Sequence, residues 1–254
     1  MKLTIYASDL AACIGMHRYQ QPWEAAVRIF ERTSPSHYQA AHARVGREIP
    51  ASMASRTLKR IQESDVVTEV ENLIQGSVDK LDDKVQKVID EIGASDPEFA
   101  GDLRTYVFTE RGKVGEKAAV DAFELSHNVS LTERNTKFFK KTFSCDGKVV
   151  ILGGRVDGLS DDGRLVEIKN RQRRFFNSVP LYEKVQVLAY MVLTGSPQCE
   201  LVERFDNEFK VTVVPFDETL WDKIVFEMLN FSKKMFILFN DESVQDSLIR
   251  DKSF

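Results

Sequence analysis

The chain has 254 residues, 43% hydrophobic and 29% charged, with a formal net charge of −4. This suits one large intracellular globular domain, or one with an insertion. No signal peptide and no apolar run of about 18 residues is seen, so no membrane role is expected. The three cysteines, Cys13, Cys145 and Cys199, are too scattered for a zinc or iron–sulfur set.

In chain order, residues 1–32 read as N-terminal helices of the main domain. Ser8 suits the N-cap, and Gly15 the C′ position, of a short helix at 9–14. A helix start of this kind can also hold a phosphate, and Arg18 follows shortly. Residues 33–109 read as a helical, acidic insertion. Within it, residues 61–102 carry 12 acids and 3 bases, a net of −9, which leaves 27 acids and 32 bases, a net of +5, elsewhere. Val67, Val70, Ile74, Val78, Leu81, Val85, Val88 and Ile92 recur every three or four residues. They predict one long amphipathic helix, or two broken near Gly76. The acidic charge directs this segment away from polyanions, leaving a structural or subunit-contact arm and a regulatory or partner-binding arm as its two readings. Asp96-Pro97 marks a break near its end.

Residues 110–254 read as the core domain. Lys113–Leu125 is helical. Lys137–Cys145 is a strand, Asp146-Gly147 a two-residue hairpin turn, and Lys148–Gly158 the next strand. A loop at 161–163, with Gly163 left-handed, leads into a strand at Leu165–Lys169. That loop pairs Ser160 with Arg164 and Asp157 with Glu167. Directly paired residues share a face, with Cβ atoms roughly 4.5–5.5 Å apart. Lys169 shares that face and Ile168 points the other way. The basic and aromatic run from Asn170 to Phe176 follows, a pattern suited to phosphate contact and base stacking. Pro180–Thr194 is a helix ended by Gly195. On it, Gln186 and Tyr190 share one face, and Val185, Leu188, Ala189 and Val192 form the core-facing stripe. Cys199–Phe205 and Phe209–Pro215 form a strand pair, and Asp217 caps a long helix to Phe239. The order is helix, three strands, helix, two strands, helix.

Asp157, Glu167 and Lys169 therefore gather two carboxylates and an amine at one spot. Two facing acids repel unless a cation lies between them. One solution is a surface hairpin neutralised by Lys169 and Arg155. The other is a divalent metal on hard oxygen ligands, with the lysine beside it.

The element order and the Asp-x9-Glu-x-Lys motif resemble the PD-(D/E)xK nuclease superfamily, an α/β (α+β), restriction-endonuclease-like fold with an αβββαβ core. Gln186-Val187-Leu188-Ala189-Tyr190 is similar to the Gln-x3-Tyr motif of the RecB and lambda-exonuclease branch. Gly112 to Glu116, with Ala119 and Phe123, resembles that branch's acidic helix. Ala7 to Gly15, with Tyr19, Pro22 and Trp23-Glu24, resembles the opening of YqaJ-type viral recombinase nucleases. The resemblance covers about 1–32 and 110–215.

The resemblance implies that Asp157 and Glu167 bind metal with the Ile168 carbonyl, and that Glu116 adds a carboxylate. Glu48 is a rival for that last role. Lys169 would orient or activate the attacking water, and Gln186 would contact the substrate backbone beside the metal. Ser8, Arg18, Arg171, Arg173, Arg174 and Tyr190 would bind DNA. The implied cofactor is Mg²⁺, with Mn²⁺ able to substitute, in a two-metal site. The implied activity is that of a DNA exonuclease acting on duplex ends, 5′ to 3′, for recombination or DNA processing. A single-strand-annealing recombinase is the implied partner, a homo-oligomer the implied assembly, and the host cytoplasm or nucleus the implied location if the chain is viral. Lambda-type enzymes place an arginine just before the serine, whereas this chain has Thr4-Ile5-Tyr6. The alternatives are an endonuclease of restriction or junction type with the same site, and a non-catalytic DNA-binding scaffold with a degenerate one.

Overall fold

The structure is a computed structural model that describes residues 2–76, 81–91, 97–171, 174–205 and 208–254, apart from the side chains of Asp82, Glu116 and Lys117. The chain opens with a strand that the sequence reading did not anticipate, β1 (Lys2–Tyr6), which pairs in parallel with β4 (Lys148–Gly154). Because β1 runs directly into α1 (Ala7–Cys13), Tyr6 takes the cap position and Ser8 falls inside the first turn. That corrects the expected Ser8 N-cap. The far end behaves as expected: Gly15 has φ +70°, its N–H bonds the Ala12 carbonyl, and the Met16 N–H bonds Ala11. This is the glycine-dependent helix stop that gives carbonyls of the last turn their partners.

Among the described residues, five more helices precede the long helix: α2 (Pro22–Thr33), α3 (Pro35–Arg44), α4 (Met53–Gln62), α5 (Val67–Gln75) and α6 (Leu81–Glu91). The apolar stripe at 67–92 is thus two helices, with Gly76 at the C-cap of the first. Val78 and Ile92 lie outside the described residues. α7 (Pro97–His127) runs 31 residues through the 109–110 boundary without a break. Its first half supplies Phe99, Leu103 and Val107 to a cluster with Ile61, Val70, Leu73 and Val85. Its second half supplies Ala119, Val120 and Phe123 to a cluster under the second sheet. Among the described residues, no helix is long and apolar enough to cross a membrane.

The remaining elements are β2 (Leu131–Thr132), β3 (Phe139–Cys145), β4, β5 (Gly158–Ser160), β6 (Leu165–Asn170), α8 (Leu181–Thr194), β7 (Gln198–Phe205), β8 (Glu208–Pro215), α9 (Glu218–Leu238) and α10 (Glu242–Asp251). The expected succession of helix, strands, helix, strands and helix runs from α7 to α9, with five strands among the described residues, β2 to β6, rather than three between α7 and α8. Asp146 and Gly147 turn the β3–β4 hairpin with φ of 50° and 74°, the positive pair that a tight hairpin needs. Asp217 caps α9, accepting the Leu220 N–H.

The expected single strand at 148–158 is two strands in two sheets. β4 lies in the sheet β1–β4–β3, and β5 lies in the sheet β2–β5–β6–β7–β8. Arg155, Val156 and Asp157 carry the chain between them. Glycines allow the departure. A Cβ on Gly153 would sit 2.4 Å from the Phe138 ring, and one on Gly154 would sit 2.7 Å from the Tyr190 ring. Alternation of apolar residues continues across the break, so a period-2 pattern cannot reveal it.

β6 and β7 are parallel, joined through α8, and the second sheet is covered on both faces. Leu165, Cys199 and Leu201 join the main core with α1, α8 and α9. Val166, Ile168 and Val202 face the second half of α7. Ile168 therefore points away from the α8 side, as the sequence predicts.

The close approach at Gly154 is testable. Gly154→Ala should lower Tm, at a cost of about 1–3 kcal/mol for overpacking. Gly101→Ala, in α7 with nothing within 4 Å of the new methyl, should raise it, by roughly 0.5–1 kcal/mol. Thermal unfolding of both variants checks the pair.

Candidate active site

The 161–163 loop forms as its residues dictate. Gly163 has φ +80°, and Ser160 N–H donates to the Arg164 carbonyl at 2.9 Å. The ladder then pairs Leu159 with Leu165 and Gly158 with Val166. One step beyond, Asp157 meets β6 through its side chain: Oδ2 accepts the Ile168 N–H at 2.8 Å, and Oδ1 accepts from Asn135 Nδ2 at 3.4 Å. Both carboxylates are buried, Asp157 at 6% and Glu167 at 2% exposure.

Lys169 Nζ donates to Glu167 Oε1 at 2.7 Å and to Gln186 Oε1 at 3.2 Å. Gln186 Nε2 donates to Glu167 Oε1 at 3.1 Å and to the Tyr190 hydroxyl at 3.3 Å. Burial alone would lower the Lys169 pKa, but the Glu167 and Asp157 carboxylates outweigh it and hold the ammonium above its usual value. Tyr190 is buried, and burial first, then Glu167, pushes its hydroxyl pKa up. Tyr190 thus acts as a wall and hydrogen-bond partner of the site rather than an exposed contact.

These groups line one cavity of about 330 Å³ with Gly112, Lys113, Asn135, Arg155 and Asn170. α7 reaches it from the Ile168 face. Gly115 makes that possible, since a Cβ there would meet Asn170 Nδ2 at 2.1 Å. Glu116 lies one helical turn after the cavity-lining Gly112, and its side chain is outside the described residues. The rival Glu48 is exposed between α3 and α4. Among the described residues, no group of three or more His, Cys, Asp or Glu gathers. The charged oxygen donors that line the cavity, among the described residues, are the Asp157 and Glu167 carboxylates. That suits Mg²⁺, which binds through one or two carboxylates and keeps several waters.

Arg171 is a correction. Expected to bind DNA, it is 10% exposed, and its guanidinium is taken up by Glu183 at 2.6 and 2.7 Å and Glu203 at 2.7 Å. It also lies 4.0 Å over the Phe176 ring. The basic run could not reveal this, because the acidic partners of Arg171 lie 12 and 32 residues away. Arg173 lies outside the described residues. Arg18 and Arg174 are exposed and share a second cavity of about 690 Å³. Ser8 is exposed in the first turn of α1. Sequence reasoning missed Asn135. Its signal was the polar run Glu133-Arg134-Asn135-Thr136, with Asn135 tolerating φ +52°.

No family model matches the sequence, and no curated relative matches it. Among solved structures, an alkaline exonuclease from Laribacter hongkongensis is similar at 15% identity and a TM-score of 0.49, over 98% of this chain and 93% of that one. A phage-related exonuclease from Haemophilus somnus is similar at 12% identity and a TM-score of 0.42, over 99% of this chain and 97% of that one.

Removing Arg171 strands two buried carboxylates. Arg171→Ala should destabilise by about 3–5 kcal/mol, while Arg174→Ala should stay within about 0.5 kcal/mol of wild type. Urea unfolding compares them. Burial raises the Glu203 pKa, but the Phe176 N–H and the Arg171 and Lys210 cations outweigh it and hold the carboxyl below its ordinary 4.5. Its stabilisation is therefore present above that pH and lost as pH falls.

Proposed function

We propose that the chain is a Mg²⁺-dependent DNA nuclease that degrades duplex DNA from its ends. The observation that carries the reading is the convergence of Asp157, Glu167, Lys169 and Gln186 on one cavity, with both carboxylates buried and neither on a merely decorative surface hairpin. Asp157 and Glu167 would hold the metal with the Ile168 carbonyl, and Glu116 would add a carboxylate. When bound, Mg²⁺ supplies a more acidic water and neutralises charge developing on the phosphoryl group.

The other groups act on substrate and water. Lys169, donating as an ammonium, orients the attacking water and offsets negative charge on the phosphorus centre. Gln186 positions Lys169 and Glu167 together and reaches the strand backbone. Asp157 is fixed by the Ile168 N–H, so its second oxygen is aimed before substrate arrives. Pre-aimed charged groups act without reorganising during the reaction. Arg18 and Arg174, with Ser8 in the first turn of α1, supply the positive and hydrogen-bonding rim for a DNA end with a 5′ phosphate. The product strand would suit a single-strand-annealing recombinase.

Asp157→Ala or Glu167→Ala should lower cleavage more than about a hundredfold while leaving the circular dichroism spectrum unchanged. Lys169→Ala should do the same and still bind Mn²⁺ by isothermal titration calorimetry. Activity should vanish in excess EDTA and return with Mg²⁺. Cleavage that survives EDTA rules the mechanism out.

Side-by-side digestion decides the mode of attack. Linear duplex should be degraded, 5′-phosphorylated ends faster, and covalently closed circles spared. Circles cut as fast as linear DNA would make the protein an endonuclease with the same chemistry.

A further inference from the structure

The cavity of about 690 Å³ at the start of α8 has a make-up unlike that of the catalytic one. Its volume lies in the range of small-ligand pockets, roughly 300–1,000 Å³. Three aromatic rings cluster on its wall. His17 and Tyr182 are 4.8 Å apart between centroids, Tyr19 and His17 are 6.2 Å apart, and Tyr19 and Tyr182 are 6.3 Å apart. Tyr19 is 70% exposed, so its ring is open to solvent. Arg18 lies 5.5 Å over the Tyr19 ring, and Arg174 lines the same cavity. Among the described residues, neither arginine has an acidic partner.

The loop bearing these rings is held at both ends. Gly15 and Met16 close α1 through Ala12 and Ala11. Gln21 and Glu24 cap α2 reciprocally, and Arg28 donates to Gln20. The Tyr19 N–H donates to His17 Nδ1 at 3.2 Å. Burial first, then the Arg28 charge, lowers the His17 pKa, which favours the neutral ring. The rings are therefore preformed, uncharged faces flanked by cations. Tyr182 precedes Gln186 by one helical turn, so the platform and the catalytic cavity share a face of α8.

Resting on the nuclease reading, we propose that this cavity holds an unpaired nucleotide of the DNA strand, its base against the Tyr19, His17 and Tyr182 rings and its phosphates against Arg18 and Arg174. A base inside a duplex has both faces covered by its neighbours, so only a separated strand can use the platform. The site thus accepts a frayed or single-stranded segment.

The test is binding without cleavage: fluorescence anisotropy of the full-length protein in EDTA, with a short oligothymidylate and an abasic strand of equal length. Wild type should prefer the oligothymidylate. Tyr19→Ala should weaken oligothymidylate binding about tenfold and leave abasic binding unchanged, with Tyr19→Phe near wild type. Arg174→Ala should weaken both strands and flatten the salt dependence. Tyr19 is exposed, so its loss leaves the fold intact. No effect of Tyr19→Ala, equal loss on both strands, or no binding of either strand would overturn the inference. Metal-dependent cleavage by wild type, measured separately, decides the nuclease reading itself.

Discussion

The transfer of the chain from one sheet to the other between Gly154 and Gly158 is the constraint on which the site depends. Had β4 continued, Asp157 would lie in the β1–β4–β3 sheet and could not meet Glu167 on β6. Because the chain leaves at Gly154 and re-enters at Gly158, the Asp157 carboxylate caps the Ile168 N–H at 2.8 Å. The same step needs glycine where Phe138 and Tyr190 press on the backbone. Tyr190 then supports Gln186, and Gln186 supports Glu167 and Lys169. A packing requirement on a backbone without side chains thus aligns four polar groups.

A second consequence follows from strand alternation. Glu167, Lys169 and Arg171 occupy alternate positions along β6 and its extension, and all three meet α8. Alternate residues share one face, and α8 presents Glu183, Gln186 and Tyr190 to it. The result is a buried polar seam with two parts. In the outer part, Glu183–Arg171–Glu203, each charge has a partner, Lys210 also reaching Glu203, and the seam ties α8 to β7. The inner part, Asp157–Glu167–Lys169–Gln186, opens into a cavity. Both parts pair carboxylates with a cation, and the opening into a cavity distinguishes the inner one. Their proximity also explains why a basic stretch can serve two ends, with Arg171 inward and Arg174 outward.

α7 joins this arrangement to the acidic helices. One continuous helix closes their apolar cluster with Phe99, Leu103 and Val107 and the sheet's second face with Ala119, Val120 and Phe123. A rigid helix of 31 residues spans roughly 45 Å at 1.5 Å per residue. The same helix carries Gly112 and Lys113, which line the cavity around Asp157 and Glu167.

Much of this was legible in the residues because its causes are local. The 161–163 loop, the Asp146-Gly147 turn, the Gly15 and Gly195 helix stops and the Asp217 cap each follow from the dihedral preferences or hydrogen-bonding reach of a few neighbouring side chains. The Asp157, Glu167 and Lys169 grouping is legible for the same reason, since a hairpin register and a period of two fix which residues share a face. Gln186 joined them through a resemblance, and its contact with Lys169 needed α8 laid on β6. What only the tertiary structure decided depends on partners distant in sequence. β1 is too short and too ordinary to read as a strand until β4 lies beside it. The split of 148–158 keeps the alternation that a single strand would have. Arg171 reads as a DNA-binding cation until β7 and α8 bring Glu203 and Glu183 around it. Tyr19 and Tyr182, 163 residues apart, become one surface only when the loop after α1 folds against the start of α8.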